Sequence, residues 1–198
     1  MLSQLSISET IAVITALVYV LLAARSNIWC WFWGIISCSF WAYSAFFDYD
    51  LYVDALLQVF YVLIAFVGIY QWKYGSKSNA NLEISVLRKN MHVMIVIGGL
   101  VLSAIVGFFF AEYTQAAATY LDSFTTIFSV IATILLVRRV LENWVYWIIV
   151  DATYIYLYAS RGGILFTALF VIYTAMAIYG YYNWRKEYLE PSVQQGDG

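Results

Sequence analysis

Seven stretches of nearly unbroken apolar residues run along the chain, at roughly 8–24, 28–47, 51–73, 91–111, 115–137, 142–160 and 163–184. Crossing a hydrocarbon layer about 30 Å thick takes about 20 apolar residues in a helix, so each stretch predicts a membrane span. Short polar breaks separate the first three and the last three. The one long hydrophilic stretch, 73–90, lies ahead of the fourth. With alternating spans, one side receives Arg25, Lys73, Lys77, Arg88, Lys89, Arg138, Arg139, Arg185 and Lys186. The other receives Arg161 with Glu9, Asp48, Asp50 and Glu112. Nine of the ten basic residues on one side predict a cytoplasmic C-terminus and an outer N-terminus. No basic region or small-residue cleavage site marks the first span for removal, so it reads as retained.

The pattern repeats. Span three ends Gly68-Ile-Tyr-Gln-Trp72-Lys73, and span seven ends Gly180-Tyr-Tyr-Asn-Trp184-Arg185, an offset of 112 that Tyr61 and Tyr173 share. Leu21-Leu-Ala-Ala-Arg25 matches Leu135-Leu-Val-Arg-Arg139, with paired tryptophans after each. The expected organisation is one membrane domain over 1–198, with repeat one at 8–74, a linker span at 91–111 and repeat two at 115–185. Residues 191–198 form a polar tail, expected to be disordered. An odd linker makes the repeats parallel, related by an axis along the membrane normal. That layout is used by transporters whose substrate site lies between the halves near the midplane, with rocking of the two triplets closing it alternately.

Polar side chains inside the spans mark candidate chemistry, because each is costly in hydrocarbon unless it faces protein or water. In the sixth span Trp144, Trp147, Asp151, Tyr154 and Tyr158 share one helical face. Asp151 sits at its middle, with no lysine or arginine in any span centre to pair with. A cationic substrate among aromatic rings would suit it. Asp122, Thr126, Ser129 and Thr133 stripe the fifth span. Gln58, Tyr61, Gly68 and Trp72 stripe the third; Trp33, Ser37, Trp41 and Ser44 the second. The hydroxyls serve equally as helix-packing residues. For most of Trp29, Trp31, Trp72, Trp144 and Trp184, all near span ends, an interfacial belt is the simpler expectation.

Composition agrees with a membrane protein: 64% hydrophobic, 11% charged and 20% aromatic, with mean hydropathy +0.78. A net charge of −2 gives no reason to expect nucleic acid. Cys30 and Cys38 fall in one helix and cannot bond to each other. One histidine, His92, and the absence of hydrolase or metalloprotease motifs argue against an enzyme. Every lysine is in a loop or helix end, which removes a retinal Schiff base, and no potassium-filter motif is present. A substrate-binding subunit of an ATP-driven vitamin importer is the nearest alternative of another class. The duplication argues against it, and no Walker A motif is present to power import directly.

From Leu21 to Arg185 the chain resembles the PnuC-type vitamin transporters. The runs that carry the resemblance are Asn27-Ile-Trp-Cys-Trp31 with Gly34, Leu51-Tyr-Val-Asp-Ala-Leu-Leu-Gln58-Val-Phe, Ile69-Tyr-Gln-Trp72, Asp122-Ser-Phe-Thr-Thr126, Arg138-Arg-Val-Leu-Glu142-Asn143-Trp144 with Trp147, and Tyr158. The resemblance implies a SWEET-like full-length fold, a homotrimer in a bacterial inner membrane, and no cofactor. It also implies facilitated diffusion of a dephosphorylated vitamin, trapped inside by phosphorylation. The expected substrate-binding residues are Asp151, Trp147, Gln58, Tyr154, Tyr61, Trp33, Trp41, Thr126, Trp144 and Asn143, with no catalytic or metal-binding residue. Phe32 replaces a proline common in relatives, Thr133 a glutamine, and Asp151 an asparagine found in some nicotinamide riboside carriers. A carboxylate that could accept from an aminopyrimidine favours thiamine, the cargo of the family's PnuT branch. Nicotinamide riboside is the alternative.

Overall fold

The computed structural model describes residues 6–48, 52–76, 82–113 and 119–190. The expected tail at 191–198, like Asp50 and Lys77, lies outside them. The fold is all-α: α1 (Ile7–Ala24), α2 (Cys30–Tyr43) continuing into a π-helical turn (Ser44–Asp48), α3 (Tyr52–Tyr74), α4 (Lys89–Tyr113), α5 (Thr119–Val137), α6 (Asn143–Ser160) and α7 (Ile164–Leu189). The seven expected helices are all present. Six are long and apolar enough to cross a membrane by themselves. The exception is α6, whose 18 residues reach about 27 Å but include Asn143, Asp151 and four tyrosines. Asn143, Tyr146 and Asp151 are buried where it packs between α5 and α7, while Tyr156 stays exposed.

The chain forms two compact units, Met1–Glu83 and Ile84–Gly198. In the first, α2 packs on both α1 and α3. A capping box starts α1: Ser6 Oγ accepts from the Glu9 N–H at 3.2 Å, and the Ser6 N–H donates to Glu9 Oε2 at 2.7 Å. The helix ends in a Schellman turn, with the Asn27 N–H donating to the Leu22 carbonyl at 2.9 Å and the Ser26 N–H to Ala23 at 3.0 Å. Ser26 takes the left-handed conformation at φ 55°.

In the second unit α4, α5, α6 and α7 pack in sequence order. The turn from α5 to α6 repeats the α1–α2 turn bond for bond: Val140 donates to Leu135 at 2.9 Å, Arg139 to Leu136 at 2.9 Å, and Arg139 has φ 51°. The structural equivalence is thus Ser26 with Arg139 and Trp31 with Trp144. This shifts the sequence match by one residue, pairing Arg25 with Arg138. Ahead of α4, Ser85 pairs with this turn, donating to the Arg139 carbonyl at 2.9 Å and accepting from the Leu141 N–H at 2.8 Å. His92 then ties α4 to α6, through Nδ1 and the Tyr146 hydroxyl at 3.0 Å and through Nε2 to Glu142 Oε1 at 3.5 Å.

The tryptophans correct the expectation of a belt. Only Trp29, 62% exposed, has the freedom of a belt residue. Trp31 and Trp72 are buried and meet edge to face at 5.4 Å and 84°. Trp144 and Trp184 do the same at 5.5 Å and 90°. In both units a glycine on the partner helix admits the first ring. A Cβ at Gly180 would stand 2.7 Å from the Trp144 ring, and one at Gly68 would collide with the Trp31 ring.

Candidate substrate-binding site

The α6 face expected from the sequence is real, and α7 meets it. Tyr154 stacks on Phe170 at 4.5 Å and 21°, Phe170 on Tyr158 at 5.6 Å and 11°, and Tyr158 on Phe166 at 5.0 Å and 24°. At the other end of the pair, Trp144 is held by Gly180 and Trp184. In α7 the stripe Phe166, Phe170, Tyr173, Ala177, Gly180 and Trp184 recurs every three or four residues, the period of one helix face. Reading only Tyr173, Gly180 and Trp184, as a repeat signature, misses the ring stack. Trp144 opposite Gly180, Tyr154 opposite Phe170 and Tyr158 opposite Phe166 set an antiparallel register. That register brings Tyr173 to the level of Asp151.

Asp151 is 4% exposed. Among the described residues it has no hydrogen bond and no ion pair. It is also the one charged side chain of the described helices outside their first and last two turns. On the same face, half-buried Trp147 and Tyr154 flank it, both packed against the core formed by Phe128, Ala132, Leu135, Val140, Tyr146 and Val150. A lone carboxylate between aromatic rings is a ready partner for a flat organic cation, gaining Coulomb attraction from the acid and cation–π attraction from the rings. Thr126 of α5 is half-buried in this unit.

Two expected site residues of this unit are placed elsewhere. Asn143 is fully buried in the turn, its Nδ2 donating to the Val140 carbonyl at 2.7 Å. Trp144 is sealed by Gly180 and Trp184. Neither leaves surface for a ligand, so both serve the α6–α7 joint. Thr133 and Thr125 turn inward as well, donating to Ser129 at 2.8 Å and Asp122 at 3.0 Å within α5.

In the first unit Gln58, Tyr61, Trp33 and Trp41 are all half-buried. The serines of the α2 stripe pack against α1: Ser37 donates to the Ala12 carbonyl at 2.8 Å, and Ser44 to Ser8 Oγ at 2.8 Å. They are helix-packing groups. Trp33 lies edge-on to Phe32 at 5.8 Å and 79°. Among the described residues no group of three or more His, Cys, Asp or Glu side chains could hold a metal ion.

Comparison with known proteins covers almost the whole chain. Residues 6–186 match the family described as nicotinamide mononucleotide transporter. The nicotinamide riboside transporter PnuC of Haemophilus influenzae is 30% identical over 181 residues, 87% of this chain and 76% of that protein. Its namesake in Neisseria mucosa is 26% identical over 188 residues, 89% of this chain and 71% of that one. The crystal structure of the vitamin B3 transporter PnuC superposes with a TM-score of 0.75 at 25% identity, covering 93% of this chain and 83% of that one. The chain is a multi-pass membrane transporter for a vitamin, not an enzyme, and it belongs to the nicotinamide mononucleotide transporter (PnuC) family.

Proposed function

We propose that this protein carries nicotinamide riboside across the inner membrane of a bacterium, by facilitated diffusion with trapping by phosphorylation on the cytoplasmic side. The observation that carries the reading is the cargo of its relatives, nicotinamide riboside in each named transporter, at 26–30% identity over most of both chains. The thiamine preference drawn from Asp151 gives way. A carboxylate pairs as well with a pyridinium as with a thiazolium, so this residue cannot separate the two cations.

Charge does separate the riboside from the mononucleotide of the family's description. A phosphate monoester needs cationic donors, and the described helices hold lysine and arginine only at their ends. A buried Asp151 would repel the phosphate. The uncompensated acid favours a cargo with net positive charge, which the riboside has and the mononucleotide lacks. The basic loop bias supports an outer N-terminus and a cytoplasmic C-terminus, and the resemblance supports a homotrimer.

Calorimetry on purified protein tests the cargo. Nicotinamide riboside is expected to bind at least about tenfold more tightly than thiamine or the mononucleotide, a difference of about 1.4 kcal/mol. Tighter binding of thiamine overturns the reading.

A further inference from the structure

We propose that the ring stack of α6 and α7 is an approach subsite, a ladder of aromatic faces that passes the vitamin cation between the outer end of α6 and Asp151. The proposal deepens the function above, resting on a flat cationic cargo and on the orientation that the basic loops support.

Ring geometry sets this stack apart from the sealed tryptophan pair. Trp144 and Trp184 are buried and meet edge to face, which leaves no free face on either. Tyr154, Tyr158, Phe166 and Phe170 are all half-buried. Each stacks on its neighbours at an interplanar angle between 11° and 29°. Carbon atoms in contact stand about 3.5–4.0 Å apart. Near-parallel rings with centroids 4.5 to 6.2 Å apart are therefore slid sideways past one another. Part of each π face stays uncovered, and that face is where a ring attracts a cation.

The ladder also points away from lipid. The exposed apolar side chains Val145, Ile149 and Tyr156 lie across α6 from Asp151, Tyr154 and Tyr158. Val171, Ile172 and Ile178, exposed as well, lie across α7 from Phe166 and Phe170. The rings thus share the side of the buried carboxylate, and they continue from it to the helix end. Tyr158 stands about 10 Å beyond Asp151 at the rise of an α-helix, and only Ala159 and Ser160 follow it in α6. Phe166, its stacking partner, belongs to the first turn of α7.

No carboxylate lies beyond Asp151 in α6, and none lies in the first half of α7. The charged residue of the turn between them is Arg161, exposed to solvent. Along this stretch the rings of the ladder are what α6 and α7 offer a cation, and each holds it weakly enough to release it to the next. A string of shallow sites lowers the barrier to entry and exit alike and leaves the affinity at Asp151 unchanged. That is all facilitated diffusion requires of an approach path.

Phe166 is the ring to change, because it stands farthest from the acid. Replacing it with mono-, di- and trifluorinated phenylalanine keeps the shape of the ring and withdraws charge from its face step by step. Initial uptake of nicotinamide riboside and of thiamine into vesicles is measured below saturation, and the affinity for each by calorimetry. Uptake is expected to fall with each fluorine, by about two- to fivefold in all, the worth of one exposed cation–π contact. Affinity should stay within about twofold, with an unchanged melting temperature. Phe166→Leu, which keeps apolar bulk without a π face, should slow uptake as much as the trifluorinated ring does. Uptake indifferent to fluorination overturns the ladder and leaves the cargo reading standing. Affinity that falls in step with uptake puts Phe166 in the resting site and overturns a separate approach. If the wild type carries thiamine but not the riboside, and thiamine shows the graded fall, the ladder holds and the cargo reading falls. If the wild type carries neither cation, both fall.

Discussion

The α2–α3 pair and the α6–α7 pair are built on one clasp and differ in what they enclose. In each, a Schellman turn with a non-glycine left-handed residue, Ser26 or Arg139, delivers the chain into a helix whose second residue is a buried tryptophan. In each, that ring enters a notch made by a glycine, Gly68 or Gly180, and is closed edge-on by a second tryptophan four residues later, Trp72 or Trp184. Moving up both helices from this clasp, the chemistry parts. Counting from Trp31 and Trp144, the position of Trp147 in the second unit is Gly34 in the first, where a Cβ would stand 3.1 Å from the Tyr19 ring of α1. The position of Asp151 is Cys38, and that of Tyr154 is Trp41. The two joints are alike and the acid stands above one of them only, so what the two pairs share is the clasp and what they do not share is the face above it.

Removing the closing tryptophan gives the largest expected effect and tests whether the two joints are equivalent. Trp184→Ala and Trp72→Ala each empty a buried site and are expected to cost about 3 kcal/mol, at the lower end for an aromatic-to-alanine change in a core. Thermal unfolding in detergent measures this. The folded fraction of Trp184→Ala should keep its affinity for nicotinamide riboside to within about twofold, or 0.4 kcal/mol. A large loss of affinity would move the clasp into the site and erase the division of labour.

Filling the notch comes next. Gly180→Ala and Gly68→Ala put a methyl against an indole with no free space, and overpacking of this kind costs about 1–3 kcal/mol. Matched losses in melting temperature would show the joints to be energetically alike. A loss at Gly180 alone would mean the first unit can slide its helices apart to accept the methyl.

These joints also mark the limit of what the sequence reveals. The seven helices are legible because a continuous apolar run of span length has no soluble alternative, and observed ends lie close to expected ones. The likeness of the two joints is legible in Gly68 and Trp72 against Gly180 and Trp184, yet the register read at the α1–α2 turn slips by one residue. Two arginines in a row offer two alignments, and only the backbone shows which residue is left-handed. A tryptophan near a span end reads as a belt residue until the opposing glycine is seen to receive it, and that pairing is tertiary. Asn143 and Trp144 joined the candidate site for the same reason, lying on the right face but at the sealed end. Asp151 was legible, because a charge in mid-span is rare enough to carry meaning alone. Its ring-lined surroundings were half legible: Tyr154 and Tyr158 through α6, but not Phe166 and Phe170, whose stripe in α7 is masked by an apolar residue at nearly every position.

Exchanging the acid tests the upper half of the comparison. Asp151→Asn preserves shape and removes the counter-charge, and is expected to weaken nicotinamide riboside binding at least tenfold, about 1.4 kcal/mol. Cys38→Ser, at the corresponding level of the first unit, should change affinity by less than about twofold. Equal effects at both positions would mean that the cargo is read symmetrically by the two repeats, and the acid would lose its special standing.

The smallest effect is the most diagnostic, because one backbone change is expected to act with opposite sign at two matched positions. A left-handed backbone costs an L-residue about 1 kcal/mol and costs glycine little. Ser26→Gly should therefore stabilise the protein by at most about 0.5 kcal/mol, the relief being offset in part by the loss of the serine side chain's own interaction and by the greater freedom of glycine in the unfolded chain. Arg139→Gly gains the same relief but loses the stronger contacts of a guanidinium. The Arg139 guanidinium lies 5.5 Å from the centre of the Trp184 ring, and its Nη2 donates to Glu187 Oε1 at 2.7 Å. The cation–π contact of a largely buried arginine contributes about 1–2 kcal/mol, and the ion pair, with Glu187 nearly half exposed, at most about 1 kcal/mol. The net expectation for Arg139→Gly is a loss of about 1 kcal/mol, read as a lower melting temperature against the rise for Ser26→Gly. A rise at both positions would show that the arginine clamp contributes less than the strain it sits on, leaving the glycine notch and paired tryptophans as the whole of the joint.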